Sequence, residues 1–255
     1  MSFSNKNTIK NLENIIPNYI NNQIVPNDVL IIIDVYIPKL NDKNIHEVVN
    51  DYVSDDKNNV KQVIRKYGLI SNWDVSQVTN MRRLFKMSFG FNEDISNWNV
   101  SNVTNMSDMF DHTYKFNQPI NNWDVSNVEE MSGMFSCAHS FNQPLNNWDV
   151  SQVTNMRMMF DDAQSFNQPL NNWDVSQVTN MRMMFYDAQL FNQPLNNWDV
   201  SQVTIMYGLF LRAFDFNQPL NNWNVSNVTN MKNMFKNAKY FNIKKNASWY
   251  NKRIK

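Results

Sequence analysis

Tryptophan recurs at a fixed interval along most of the chain. Successive members of this series are 25 residues apart, without an insertion or a deletion. The series consists of Trp73, Trp98, Trp123, Trp148, Trp173, Trp198 and Trp223. Residues 141–165 and 166–190 differ at only two positions. A gapless repeat places each side chain in the same environment in every unit, so the chain is expected to fold as a stack of like units.

The apolar pattern inside one unit, residues 141–165, predicts its local structure. Trp148 and Val150 are separated by one polar residue, and such alternation is typical of a short, half-buried strand. From Val153 onward the apolar residues are three or four positions apart, which is typical of a helix. Pro169 lies in the return loop and stops any regular element there. Each unit is therefore predicted to contain a strand, a helical turn and a loop.

The predicted fold class is an α/β repeat solenoid with a short parallel strand and a helical turn in each coil, and with an N-terminal helical cap. Residues 1–66 are assigned to the cap, residues 67–243 to seven repeats, and residues 244–255 to a basic, solvated tail. Burial of a large apolar side chain contributes about 1.5–3 kcal/mol. Because one coil cannot bury its own side chains, stability is expected to depend on contacts between neighbouring coils.

Stacking of like units is expected to arrange equivalent side chains in columns. One column contains Met81, Met106, Met131, Met156, Met181, Met206 and Met231. Its helical spacing beside Phe favours a role in the core over a copper-binding strip. Two asparagine columns are expected to form hydrogen-bonded ladders along the stack. They contain Asn142, Asn167, Asn192 and Asn217, and Asn146, Asn171, Asn196 and Asn221.

The repeat resembles a known family. Leucine-rich repeats have an LxxLxL core in units of about 20–29 residues, and Leu145-x-x-Trp148-x-Val150 matches that core. The full repeat, NNWDVSQVTNMRMMFxDAxxFNQPL, more closely resembles the BspA-like leucine-rich-repeat surface proteins, as does the lead-in at residues 66–73. This resemblance covers residues 66–243 and implies a right-handed solenoid with a role in adhesion or protein binding. Repeat proteins of large DNA viruses that are rich in Asn, Lys and Ile also look similar.

Three helices are predicted ahead of the repeats. They cover residues 27–37, 44–53 and 55–67. The last of them begins after Ser54, a favourable N-cap, and ends at Gly68, a favourable C-terminal stop. Their predicted role is to cover the first coil, because the open end of a repeat stack needs a polar cover.

The start of the chain offers an alternative function. Residues 25–37, with the sequence VPNDVLIIIDVYI, resemble the opening of an F-box. An F-box is a helical module that docks on ubiquitin-ligase scaffolds, and it is paired with repeat arrays that read the substrate. The resemblance therefore implies a ubiquitin-ligase substrate adaptor as the alternative to a plain helical cap.

Composition argues against several functional classes. The 23 basic and 23 acidic residues balance, so nucleic acid is not an expected partner. The single Cys137 excludes an intramolecular disulfide framework, and three histidines leave little for a histidine-rich metal site. We therefore expect no metal and no cofactor. The start of the chain resembles no signal peptide, and no apolar run reaches the roughly 20 residues of a membrane span, so an intracellular location is favoured.

The outward side chains of the predicted strands form a polar row, here called the polar strip. It contains Asp74, Asp124, Asp149, Asp174, Asp199, Asn147, Asn172, Ser151 and Ser176. Carboxylates stacked about 5 Å apart repel by about 1 kcal/mol per pair. Local hydrogen bonds, a basic partner or a cation could relieve this repulsion. Calcium is the least favoured of these, because calcium-binding rolls are glycine-rich and the chain has only 4 Gly.

One further column contains residues of catalytic or metal-binding type. It lies 14 residues after each Trp and contains Met87, His112, Cys137, Asp162, Asp187, Arg212 and Asn237. Stacking is expected to place His112 beside Cys137 and Cys137 beside Asp162, an order that suits a thiolate nucleophile or half of a metal site. His139 lies two residues from Cys137. No oxyanion hole or fourth metal ligand is evident, so we predict a non-enzymatic scaffold that binds a protein partner along the polar strip.

Overall fold

The computed structural model describes residues 38–250. Two helices precede the repeats, α1 at Ile45–Tyr52 and α2 at Lys57–Tyr67. A 3₁₀ turn at Ile70–Asn72 leads into the first repeat. A short helix, α3 at Ile243–Asn246, follows the last repeat. Most of the described chain therefore consists of repeats without helices.

Both helices that the sequence predicts within the described range are present. α2 begins after Asp56, whose side chain accepts a backbone N–H two residues further on at 2.8 Å, whereas the sequence predicts Ser54 as the cap. It ends at Gly68, whose φ of 72° lies in the left-handed region that favours glycine. The helix predicted at residues 27–37 and the F-box-like segment at residues 25–37 lie outside the described residues.

The predicted fold class, an α/β solenoid with a strand in each coil, is wrong. The described residues contain no β-sheet, and the β-type pairing between neighbouring repeats is limited to isolated parallel bridges. These bridges join Asn80 to Asn105, Asn105 to Glu130, Glu130 to Asn155, Asn155 to Asn180, Asn180 to Ile205 and Ile205 to Asn230. The alternation around Trp148 and Val150 belongs to turns and irregular chain, not to a strand.

Backbone conformation explains why the repeats hold neither strands nor helices. Each repeat has two residues with positive φ, at 10 and 14 positions after its Trp. In the unit of Trp148 they are Met158, with φ of 56°, and Asp162, with φ of 54°. Such left-handed residues interrupt both an α-helix and a β-strand. The apolar spacing of three and four is therefore produced by successive turns, such as the bond from Met159 N–H to Met156 O at 3.2 Å.

These turns also bind each repeat to the next. Backbone N–H groups at alternate positions of the segment donate to carbonyl groups of the following repeat. Three of these bonds run from Met156 to Asn180 at 3.0 Å, from Met158 to Arg182 at 2.9 Å and from Phe160 to Met184 at 2.9 Å. The N–H groups between them donate to carbonyl groups of their own repeat. Bonds within a repeat therefore alternate with bonds to the next repeat, and the backbone donors are satisfied. The repeats consequently stack in register without forming a sheet.

Equivalent apolar side chains form columns, as the repeat predicts. Phe135 and Phe160 are fully buried, and their ring centroids lie 5.6 Å apart. Trp148 and Trp173 are parallel within 3° at 6.4 Å. The methionine column is fully buried in six repeats and partly buried at Met231, which confirms its predicted place in the core.

Six of the seven repeat tryptophans also hydrogen-bond to the repeat before them, whereas the indole N–H of Trp73 donates to the carbonyl oxygen of Gly68 at 3.2 Å. The indole N–H of Trp173 donates to the carbonyl oxygen of Leu145 at 3.0 Å. The equivalent bond is made by Trp98, Trp123, Trp148, Trp198 and Trp223. A buried donor left without an acceptor would cost about 1–3 kcal/mol. This bond therefore allows a large indole to be buried in every repeat.

Members of both predicted asparagine columns hydrogen-bond along the stack, with the side-chain oxygen accepting a backbone N–H of the next repeat. In the first column, Oδ1 of Asn142 accepts the backbone N–H of Asn167 at 3.0 Å, and Oδ1 of Asn167 accepts that of Asn192 at 3.0 Å. In the second column, Oδ1 of Asn196 accepts the backbone N–H of Asn222 at 3.1 Å. Amide-to-amide ladders are therefore replaced by bonds that satisfy the backbone of the next repeat.

The first and last repeats are both covered. At the start, the ring of Tyr52 from α1 packs edge-on against Trp73 at 5.3 Å. At the end, the buried ring of Tyr250 packs edge-on against Phe235 at 5.0 Å. Residues 243–250 thus form a C-terminal cover in place of the solvated tail that the sequence predicts there. Within the described chain, none of the helices has the length and apolar character needed to cross a membrane.

Candidate functional site

Every aspartate of the polar strip forms a local turn with the serine two residues further on. In the first repeat, Oδ1 of Asp74 accepts the backbone N–H and the hydroxyl of Ser76, at 3.0 and 2.6 Å. The equivalent backbone bonds join Ser126 to Asp124, Ser151 to Asp149, Ser176 to Asp174 and Ser201 to Asp199. These are Asx turns. They provide the local hydrogen bonding that relieves the stacked negative charge.

The Asx turns favour the ionised form of the carboxylates. Hydrogen bonds from Ser151 hold the pKa of Asp149 below its ordinary value. The hydrogen bond from the Ser76 hydroxyl is likewise the main reason that the pKa of Asp74 is lowered. The ammonium group of Lys39, 3.1 Å from Oδ2 of Asp74, adds to this effect. In each turn one carboxylate oxygen is therefore occupied by hydrogen bonds within its own repeat.

The other residues of the polar strip also take part in the repeat structure. Asn147 and Asn172 are exposed, and each side-chain oxygen accepts a bond from the amide of the preceding Asn, at 3.3 and 2.9 Å. Ser151 and Ser176 are half-buried and supply the turn donors. None of these side chains belongs to a group of three potential metal ligands within residues 38–250. The polar strip thus recurs at equivalent positions of successive repeats and reaches the surface. Many of its hydrogen bonds are made within one repeat.

A second region differs from the polar strip because its residues change from repeat to repeat. The changes are concentrated at 9, 10, 13, 14, 16 and 17 positions after each Trp, here called the variable columns. In the fourth repeat these positions hold Arg157, Met158, Asp161, Asp162, Gln164 and Ser165. In the sixth they hold Tyr207, Gly208, Leu211, Arg212, Phe214 and Asp215. The positions that stack the repeats change far less.

Charge alternates along the variable columns. The first repeat contributes Arg82, Arg83 and Lys86, and the last repeat contributes Lys232, Lys236 and Lys239. The second to fifth repeats are acidic on balance, with Asp108, Asp111, Asp161, Asp162 and Asp187 against Lys115, Arg157 and Arg182. Ion pairs join the zones where they meet. Arg83 lies 3.2 Å from Asp108, and Arg212 lies 3.0 Å from Asp187. An acidic centre is therefore flanked by basic ends in a chain of zero net charge.

The acidic centre contains a group of histidine, cysteine and aspartate residues, here called the His–Cys–Asp cluster. Nδ1 of His112 lies 2.6 Å from Oδ1 of Asp111, and Nε2 of His139 lies 3.1 Å from Oδ2 of Asp162. Cys137 links the two pairs. Ligand atoms of Asp111, His112 and Cys137 all lie within 4.8 Å of one another, and so do those of Cys137, His139 and Asp162.

Backbone and ring contacts position the cluster. His112, Cys137 and Asp162 occupy the left-handed position of three successive repeats, with φ of 58°, 55° and 54°. The imidazole of His139 stacks on the ring of Tyr114, with centroids 4.7 Å apart and planes within 1°. The cluster is thus held on the same turns that join the repeats.

The ionisation of the cluster is governed by burial and by crowded carboxylates. Burial raises the pKa of Cys137 to about 11, and the charges of Asp162 and Asp161 add to the effect. Burial also raises the pKa of Asp161 to about 7, with Asp162 and Asp111 contributing. A thiol with this pKa is protonated at neutral pH, which disfavours an activated cysteine nucleophile. The excess of carboxylates instead favours the approach of a cation.

The sequence identifies part of the cluster correctly. The prediction that stacking brings His112 next to Cys137 and Cys137 next to Asp162 is confirmed. The sequence does not predict that Asp111 and His139 join this cluster. The predicted helical turn would separate the side chains at 13, 14 and 16 positions after the Trp. Left-handed residues at 10 and 14 positions after each Trp bring these side chains together. Residues of many types occupy those two positions, so the sequence does not reveal their conformation.

A cavity of about 530 Å³ lies beside the last repeat. Its lining includes two lysines, Lys232 and Lys236, and three large apolar or aromatic residues, Phe235, Ile243 and Tyr250. No histidine, cysteine or carboxylate lines it. The cavity therefore offers neither a carboxylate acid–base pair nor a set of metal ligands.

Comparison with known proteins identifies one related family. The sequence profile of a family described as "Mycoplasma protein of unknown function, DUF285" matches residues 53–172 and also residues 155–255. The two matches overlap within the repeats and together cover more than half of the chain. No curated protein and no solved structure matches the chain. The comparison therefore supplies a family and no activity.

Proposed function

The chain belongs to the DUF285 family of Mycoplasma proteins of unknown function, and we propose that it is a non-enzymatic scaffold that binds a protein partner along its variable columns. The family description names no activity, so the proposal rests on the repeats themselves. The resemblance of the repeat to BspA-like leucine-rich-repeat proteins, which implies adhesion or protein binding, supports the same role.

One observation carries this proposal: the repeats are alike where they stack and differ in the variable columns, which combine exposed side chains such as Arg157 and Arg182 with buried ones such as Asp161. Burial and hydrogen bonding explain the constant Trp, Val, Met and Phe positions. No such requirement explains why position 9 is Arg157 in one repeat, Tyr207 in another and Ser132 in a third. Side chains that vary on a common framework are the usual source of specificity in repeat proteins.

The variable columns would recognise a partner through its pattern of charge. The basic ends and the acidic centre suit an extended protein surface with the opposite order of charges. Within the centre, the exposed Arg157 and Arg182 would pair with acidic groups of that partner. Electrostatic complementarity of this kind contributes to specificity and to the rate of association. The polar strip is nearly identical in residues 141–165 and 166–190 and therefore offers little discrimination between repeats. We propose that the polar strip contributes similar polar contacts in every repeat and little to the choice of partner.

The test compares substitutions on the two regions in the full chain. Replacement of Arg157 and Arg182 by Ser introduces the residue that the second and third repeats have at this position. The matched control replaces Asp149 and Asp174 by Asn, the residue that the second and seventh repeats have in the polar strip. Both variants use side chains that the repeat already accommodates, so both are expected to fold.

The measurement is the dissociation constant for a partner captured by crosslinking in the native cell and then reconstituted from purified components. We expect the arginine variant to weaken binding by about tenfold, as for loss of interface arginine contacts, and the strip variant to change it by less than about threefold. A larger effect of the strip variant would move the binding surface to the polar strip. If a purified partner binds both variants and the unchanged chain with equal affinity, neither the variable columns nor the polar strip is the binding surface.

A further inference from the structure

We propose that the His–Cys–Asp cluster binds one zinc ion through Cys137, His139 and Asp162, with His112 as the fourth ligand. The proposal does not depend on the scaffold function, because a metal site at this junction would exist with or without a protein partner. It concerns three consecutive repeats and uses side chains that other repeats replace at the same positions.

The donor types select the class of metal. Zinc is bound in proteins by cysteine sulfur, histidine nitrogen and carboxylate oxygen, usually by four ligands in a tetrahedron. Calcium and magnesium prefer oxygen ligands alone. The thiol of Cys137 shares one group with the imidazole of His139 and the carboxylate of Asp162, and a second group with His112 and Asp111. A thiol and an imidazole beside a carboxylate favour zinc over the hard divalent cations.

The distances are close to those that a zinc ion needs. Zinc–ligand bonds of about 2.0–2.3 Å place neighbouring ligand atoms about 3.3–3.8 Å apart. Nε2 of His139 and Oδ2 of Asp162 are 3.1 Å apart. The sulfur of Cys137 lies within 4.8 Å of both, and it lies within the same distance of a ring nitrogen of His112. Cys137, His139 and Asp162 therefore form the core of the proposed site. His112 belongs to the neighbouring group that shares Cys137, so its ring has to turn toward His139 and Asp162 to become the fourth ligand.

The two carboxylates of the cluster have different surroundings, which assigns them different roles. Oδ2 of Asp111 lies 2.6 Å from Nζ of Lys86, and its other oxygen is bonded to His112. Its charge is thus already paired, and it is placed to orient the imidazole from outside the metal, as carboxylates do behind zinc-bound histidines. Asp162 pairs with no lysine or arginine among residues 38–250. Its charge therefore remains available to a cation.

The other repeats show that the fold does not require these donor side chains. At the position of His139, the next two repeats have Gln164 and Gln189. At the position of Cys137, the last repeat has Asn237, which has the same left-handed conformation with φ of 60°. The cluster occurs at one junction of an otherwise repetitive stack.

The test uses metal titrations of the full chain after removal of metal with a chelator. Cobalt(II) chloride is the first probe, because a thiolate bound to cobalt gives a charge-transfer band and tetrahedral cobalt gives strong visible absorption. Zinc sulfate is then added to displace the cobalt. The variants are Cys137→Asn, His139→Gln and Asp162→Asn, and the controls are Asp187→Asn, in the column of Asp162, and His46→Gln, in α1. Melting curves in chelator verify that each variant folds.

We expect one cobalt ion per chain with both spectral features, which zinc removes. Cys137→Asn should abolish the charge-transfer band. His139→Gln and Asp162→Asn should weaken zinc binding by more than about 100-fold, because even loss of a group that only supports a ligand costs about 10–100-fold. The two controls should bind within about twofold of the unchanged chain.

Three results would overturn the proposal. One is the absence of a charge-transfer band in the unchanged chain. Another is equal zinc affinity in Cys137→Asn, and the third is an equal loss in Asp187→Asn, which would indicate general attraction to carboxylates. The fourth ligand has its own test. His112→Asn should weaken zinc binding and change the visible spectrum, and unchanged affinity would remove His112 from the ligand set.

Discussion

The polar strip and the variable columns lie on the same repeats, but their polar side chains are used differently. In the polar strip, each Asp is bonded to the Ser two residues later, and this turn recurs in every repeat. In the variable columns, contacts are specific to one junction, such as the ion pair between Arg83 and Asp108 and the ring stack of Tyr114 on His139. Uniform polar residues therefore build the repeat, and irregular ones distinguish one repeat from the next.

This difference is a guide for locating function in a repeat protein. A polar row that recurs without change attracts attention in the sequence, yet its regularity also suits a structural turn. The His–Cys–Asp cluster breaks the regularity at one junction. Beside it, burial and neighbouring carboxylates raise the pKa of Asp161. Departures from the repeat thus indicate candidate sites more directly than the repeated residues do.

The largest expected effect separates the stacked columns from the variable columns within one repeat. Phe160→Ala removes a fully buried ring that stacks on Phe135 and Phe185. We expect a loss of about 3–5 kcal/mol in the free energy of unfolding, from lost burial and the resulting cavity. Arg157→Ser, three residues earlier and exposed, should change it by less than about 0.5 kcal/mol. Urea unfolding followed by tryptophan fluorescence measures both.

Similar losses for the two variants would show that the variable columns carry structure as well, and the distinction between the regions would fail.

A moderate effect is expected from the left-handed backbone of two variable columns, at 10 and 14 positions after each Trp. Met87 is 57% exposed and has φ of 62°, a conformation that costs an ordinary residue about 1 kcal/mol more than glycine. Met87→Gly should therefore raise the free energy of unfolding by about 1 kcal/mol, although glycine destabilises most folded positions. Met87→Ala serves as the control and should give no gain. A loss of stability in the glycine variant would contradict the left-handed assignment.

The smallest effect concerns the pH dependence of the polar strip. The pKa of Asp74 in the folded chain lies below its ordinary value of 3.8, so its contribution to stability is present above that value and is lost as the pH falls through the folded pKa. Ser76→Ala removes the main cause and should raise the pKa of Asp74. The variant should be slightly less stable than the unchanged chain at pH 6, and the difference should shrink toward pH 3.

NMR titration of the Asp74 carboxyl group measures the pKa, and thermal melting at the two pH values measures stability. An unchanged pKa in Ser76→Ala would show that the Ser76 hydroxyl does not control this carboxylate, and would assign the shift to the backbone N–H of residue 76 and to Lys39.

Part of the fold follows from the sequence because stacking depends only on the repeat. The spacing of the tryptophans places Trp148 over Trp173 and Phe135 next to Phe160 whatever the backbone conformation is. The same argument brings Cys137 next to His112. The predicted strand and helical turn were wrong, because turns with left-handed residues produce the same apolar spacing as those elements.

The sequence by itself determined which side chains share a column, since identical units of constant length can bury Trp and Phe only against their own copies. The tertiary structure decided how the backbone passes from one column to the next. Left-handed residues such as Met158 and Asp162 are unfavourable when considered singly. They are held there because their N–H groups donate to carbonyl groups of the following repeat, 24 residues away. A local pattern cannot encode a bond to a distant partner, so the turns and the complete His–Cys–Asp cluster emerge only when the repeats are stacked.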